Sequence, residues 1–124
     1  MRCWFAPQKA QGGKKLHEQI DEAICIHDKL LLILSCDSIH SEWVRIEISK
    51  ARKLELRGKR RIMFPLRLVD FEALQQWECW HSDLGDLAEE IRQYYIPDFS
   101  RWKADPDQYK REFDRLVRDL QAPV

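Results

Sequence analysis

Apolar positions along this chain change period several times, and each change marks an element. Residues 2–6, RCWFA, are short, aromatic and strand-like, and Pro7 ends them. The stretch PQKAQGG, with glycines at 12 and 13, predicts a loop. From Lys14 the period becomes helical, with Leu16, Ile20, Ala23 and Ile24 at i, i+4, i+7 and i+8. KLLLILS (29–35) then holds five apolar residues in succession. Periodicity alone does not separate a buried strand from a buried helix there. Its short length and the polar SCDS that follows favour a strand covered on both faces.

Ser41 reads as the N-cap of the next helix, with Glu42 in its first turn, where the helix dipole favours a negative charge. Val44, Ile48 and Ala51 form one stripe, and Gly58 is a natural stop. RIMFPLRLVD (61–70) reads as a third strand, with pairing interrupted at Pro65, which has no N–H to give. FEALQQWECW is ambiguous and is taken as a short helix and turn. Ser82 reads as the cap of a mostly polar helix, and IPDFS as a short edge strand. The last helix has the clearest pattern, with Tyr109, Phe113, Leu116, Val117 and Leu120 on one stripe. Strands alternating with helices imply a parallel sheet with helices on both faces.

A chain of 124 residues predicts a single domain over 1–124. Its 21 basic and 21 acidic residues cancel, so no bulk field draws nucleic acid or an anionic membrane. The basic run KARKLELRGKRR reads as a solvated helix end. Mean hydropathy is −0.56, and no apolar run approaches the roughly 20 residues of a membrane span. MRCWFAP lacks the long apolar stretch of a signal peptide. Cys3, Cys25, Cys36 and Cys79 form no C-x-x-C pair and fit small buried hydrophobes of a reducing, cytoplasmic compartment. Nearby His27, His40 and His81 match no usual zinc spacing, so no metal is expected.

In open α/β sheets ligands bind beyond the carboxyl ends of the strands. PQKAQGG, SCDSIHS and RLVD should meet there, and the SEWVRIE helix starts at that edge. Trp43 and Glu47 are four apart and share a helix face. Two readings stay open. Trp43 packs in the rim while Glu47 pairs with a Lys or Arg, or the two together form a partly desolvated carboxylate site. Lys14 and Lys15 stand where they can meet phosphates or simply begin a solvated helix. Ser35, Ser38, Ser41 and His40 cluster in one loop and read more simply as turn and cap formers than as a nucleophile. Trp77, Trp80 and Trp102 read as core or rim packing.

Taken in order, RCWFAP, GGKKLHEQIDEAI, DKLLLILS, SEWVRIEISKA, RRIMFPLRL and DFSRW closely resemble the Toll/interleukin-1 receptor (TIR) domain in its bacterial form. The resemblance implies a flavodoxin-like α/β fold. It makes APQKAQGG the family's BB loop, which mediates self-association and flanks the active site. In members that hydrolyse NAD⁺ the catalytic glutamate follows a tryptophan by four residues on the family's third helix. Glu47 and Trp43 match these two. The resemblance further implies substrate contacts from Trp43, Phe5, Pro7, Lys14 and Ser35, NAD⁺ as substrate rather than cofactor, and other TIR domains as partners.

Two departures stand out. The family's opening strand, its F-[IL]-S-type loop and the following helix find no counterpart here, a unit of roughly 30 residues. That strand would lie mid-sheet, and its loop would wall the nucleotide pocket, so the domain is expected to be N-terminally incomplete. Gln8, Lys9 and Ala10 also stand where related loops carry acidic residues. The first expectation is an NAD⁺ glycohydrolase giving nicotinamide and ADP-ribose or a cyclic ADP-ribose, in prokaryotic immune or stress signalling. The second is a non-catalytic module that self-associates. A phospho-receiver is the third and weakest, because Asp37 after LLLILS has no acidic pair before it.

Overall fold

A computed structural model describes residues 11–15, 18–19, 22, 29–58 and 61–122. The strand expected at 2–6 and the apolar stripe of Leu16, Ile20, Ala23 and Ile24 lie outside the described residues. So do Phe5 and Pro7.

The two apolar runs form strands β1 (Leu30–Leu34) and β2 (Met63–Arg67), paired in parallel with Leu32 opposite Pro65. Between them runs helix α1 (Glu42–Gly58). A parallel pair needs such a crossover. Pro65 does not interrupt the ladder, contrary to the sequence expectation. Leu30 N–H donates to Ile62 O, and Leu68 N–H to Leu34 O, both at 2.8 Å. Successive N–H groups alternate sides along a strand, so the even-numbered ones of β2 face β1. The odd-numbered ones face away, as Arg67 N–H to Pro97 O shows at 3.0 Å. The donor that Pro65 lacks therefore lies on the side where β1 does not need it. IPDFS adds a parallel bridge, Arg67 to Asp98, on that side, and Arg67 Nη2 pairs with Asp98 Oδ2 at 3.2 Å.

Helix α1 packs Val44, Ile48 and Ala51 on one sheet face, beneath Leu32 and Leu34. Ile48 and Leu34 are fully buried, and truncating Ile48 to Ala should cost about 2–5 kcal/mol. The opposite face carries Leu66, against which helix α4 (Pro106–Gln121) sets Leu116 and Leu120 together with Phe99. Asp105 caps α4 through Gln108 N–H, and Pro106 occupies the first turn, where no donor is missed. Lys29 Nζ meets the other end, donating to the carbonyls of Leu120 and Ala122, where the helix dipole favours a cation.

The expectation that β1 is covered on both faces is not met. Leu31 is 40% and Ile33 45% exposed. Helix α4 lies over β2 at Leu66, and among the described residues nothing continues that layer across β1.

After β2, helix α2 (Phe71–Gln76) is capped by Asp70, and a small hairpin follows, β3 (Trp80–His81) with β4 (Gly85–Asp86). Gly85 has φ 78°, a left-handed conformation that L side chains rarely adopt. Helix α3 (Leu87–Ile91) begins only after the hairpin and is capped by Asp86, which accepts from Ala88 N–H. Ser82 therefore lies in the hairpin turn and is not the cap. Trp77 joins the core at 4% exposure, whereas Trp80 and Trp102 stay exposed.

Candidate functional site

The carboxyl end of β1 runs into a tight turn. Ser38 Oγ donates to Ile33 O at 2.7 Å and accepts from Ser35 N–H at 2.7 Å. Ser35 Oγ accepts from Ser38 N–H at 3.1 Å. The serines expected to form the turn do so, and Ser35 spends an acceptor on it. The end of β2 is tied to the same point, because Leu68 and Val69 N–H both donate to Leu34 O. Trp77 Nε1 donates to Ile39 O at 2.8 Å and holds the turn from below.

From this edge α1 starts at Glu42, one residue after Ser41, whose Oγ accepts from Val44 N–H at a long 3.4 Å. Glu47 stands roughly 8 Å along the helix axis. Both Trp43 and Glu47 are half-buried. Burial pushes the Glu47 carboxyl above its ordinary value, and the Trp43 indole opposes that shift. The indole Nε1 is itself buried without a completed hydrogen bond.

Among the described residues no Lys or Arg pairs with Glu47. The arginines of α1 are committed elsewhere. Arg45 donates to Trp80 O at 3.0 Å and pairs with Glu42, and Arg52 pairs with Glu90 at 3.1 Å. Among the described residues the surface-pairing reading of Glu47 finds no partner.

The other expected residues are less gathered. Lys14 is exposed, beside a turn that Gln19 holds through Gln11 N–H and the carbonyls of Gln11 and Lys14. Gly13 takes φ 82° in that turn. Phe5 and Pro7 fall outside the described residues. Ser35 follows β1, Trp43 lies in the first turn of α1, and Glu47 follows one turn further along.

Glu55 is the polar residue that sequence reading missed. It is 5% exposed on α1. Its Oε2 accepts from Ile62 N–H at 2.7 Å and Met63 N–H at 3.1 Å, and its Oε1 from Tyr94 OH at 2.8 Å. Its place on the apolar stripe was the available signal: Ile48, Ala51 and Glu55 fall at i, i+3 and i+7.

A cavity of about 360 Å³ is lined by Arg52, Asp83, Asp86, Glu89 and Glu90 among others, and Glu47 is not part of that lining. Of its acids, Glu90 pairs with Arg52 and Asp86 caps α3. No three His, Cys, Asp or Glu side chains gather to hold a metal among the described residues. Cys36 is exposed, and burial pushes the Cys79 thiol up.

Parallel strands with a crossover helix on one face and α4 over β2 on the other define an α/β domain of the kind found in TIR proteins. The sequence profile described as TIR domain matches residues 1–117, and the chain belongs to that family. Neither a curated protein nor a solved structure matches it. Among the described residues no helix is long and apolar enough to cross a membrane.

Proposed function

We propose that this TIR domain is an NAD⁺ glycohydrolase with Glu47 as its catalytic carboxylate. The observation that carries the proposal is a half-buried glutamate on α1, four residues after Trp43, with no ion pair among the described residues. Nicotinamide leaves NAD⁺ as a neutral molecule from a pyridinium cation, so its departure needs no general acid. The bond from ribose C1′ to the pyridinium nitrogen breaks, and its electron pair goes to the nitrogen. Positive charge develops on the ribosyl oxocarbenium. A desolvated carboxylate stabilises that charge more than one in water. Water then adds to C1′ and loses a proton, giving ADP-ribose; capture by the adenine gives a cyclic product instead. Lys14, Ser35 and the segment holding Phe5 and Pro7 are the further substrate contacts in this reading.

The test is nicotinamide release by the purified chain under conditions that promote assembly. Glu47→Gln keeps shape and removes charge, and turnover should fall by about two to three orders of magnitude. Trp43→Ala should cost less. Equal rates for wild type and Glu47→Gln would remove Glu47 from the chemistry. The uncovered Leu31 and Ile33 favour a second reading, association without catalysis. Absence of nicotinamide release in assembled wild type would select it.

A further inference from the structure

The proposed chemistry places two conflicting demands on Glu47. It must be shielded from water for its charge to act strongly, yet shielding favours the neutral acid. A Lys or Arg partner would restore ionisation but would cancel the negative charge that the oxocarbenium needs. A neutral donor escapes the conflict: it stabilises the carboxylate while leaving the net charge at one. It also engages one oxygen and so leaves the other free for substrate.

We infer that the indole N–H of Trp43 is the donor that orients the Glu47 carboxylate, so that Trp43 is a positioning residue and more than a rim packer. Three observations carry this. The two side chains share a face of α1, one turn apart. Trp43 Nε1 is buried with no completed hydrogen bond, so it is a donor without an assigned acceptor. The Glu47 carboxylate is half-buried and free of ion pairs among the described residues, so it is an acceptor in need of one. A buried donor left without an acceptor is costly, which favours closure of the pair.

The surrounding charges do not compete. Arg45 and Arg52 serve Trp80 O, Glu42, Glu55 and Glu90. Lys50, one turn beyond Glu47, has an interaction of its own. Asp37 and His40 lie in the turn after β1, and among the described residues no charged group shifts the Glu47 carboxyl.

This inference rests on the NAD⁺ reading for its purpose, but its test does not. The full chain, labelled with ¹⁵N and with ¹³C in glutamate side chains, is titrated by NMR. In wild type the Trp43 indole N–H resonance should move with the Glu47 carboxyl and share its midpoint. Glu47→Gln should abolish that movement. Trp43→Phe keeps a ring and removes the N–H, and the Glu47 midpoint should then rise. A tryptophan that merely packs predicts the opposite sign, because the smaller ring admits water. If Trp43→Phe does not fold, the wild-type and Glu47→Gln pair still decides. An indole resonance indifferent to Glu47, or a midpoint unchanged or lowered in Trp43→Phe, overturns the inference. In the kinetic arm, the acid limb of nicotinamide release should shift upward with the Trp43→Phe midpoint. Coupled titration without any nicotinamide release would sink the NAD⁺ reading and leave the pairing intact.

Discussion

Glu47 is a cost to the fold at neutral pH, and that cost is measurable. Its folded pKa is raised, first by burial and against the pull of the Trp43 indole. The folded chain therefore holds the proton more tightly than the unfolded chain does. The stabilising contribution of the neutral acid is complete below the unfolded value, near 4.5, and is lost as pH rises through the folded pKa. Glu47→Gln should thus melt higher than wild type at pH 7, with the gap closing below about pH 4.5. A variant that melts lower at pH 7 would show that the carboxylate is not desolvated. Asp98 behaves oppositely. Burial raises its pKa, but hydrogen bonds from Ser100 and the nearby Arg67 outweigh burial and lower it. Its contribution is present above its unfolded value and lost as pH falls through the folded one. Asp98→Asn should lower the melting temperature at pH 7 and make little difference in strong acid. At this scale the candidate pair was legible, because four residues on a helix fix a shared face whatever surrounds it. Ser35 was less so: its hydroxyl is drawn into the turn by Ser38, a local bond that spacing does not reveal.

Helix α1 links the two ends of the structure. At one end it starts from the turn that closes β1, and at the other Glu55 fastens it to the first residues of β2 and to Tyr94. Arg52 completes the cluster at 3.6 Å from Glu55 Oε1. Glu55→Ala would leave two buried backbone donors and a tyrosine hydroxyl without their acceptor. Destabilisation of about 3 kcal/mol or more should follow, read as a lower urea midpoint with the slope unchanged. Glu55→Gln keeps an oxygen for the backbone donors and should lose less. Equal losses in the two variants would mean that side-chain volume, not hydrogen bonding, is what α1 needs there. Sequence reading found this helix through Ser41 and Gly58, because both ends carry residues with strong local preferences. It misplaced the start of α3, where Ser82 and Asp86 both suit a cap. The hairpin between them decides for Asp86, which also accepts from Cys79 N–H at 2.8 Å. Two-residue strands carry no periodicity, so nothing in the pattern announced that hairpin.

At the scale of the molecule, family and layer order were readable, whereas the coverage of the sheet was not. Five consecutive apolar residues in β1 read as a strand buried on both faces. The pattern reports what each face requires, not whether this chain supplies it. Leu32 and Leu34 are buried by α1, whereas Leu31 and Ile33 stay 40% and 45% exposed. Among the described residues β1 pairs with β2 alone, and none of them pairs with its other edge. An exposed apolar strand edge is a template for association. The chain should therefore show a light-scattering mass above 14.9 kDa that rises with concentration. Leu31→Lys with Ile33→Lys places charge on the uncovered face without touching the residues packed by α1. That double variant should move the mass toward the monomer while retaining the α/β circular dichroism spectrum. If wild type remains a monodisperse monomer throughout, the exposed strand does not drive assembly. If the double variant unfolds, single Ile33→Thr, which keeps a β-branched shape, provides the comparison. Association unchanged by any of these variants would place the contact elsewhere on the domain, and the uncovered face of β1 would then be a tolerated cost of this fold.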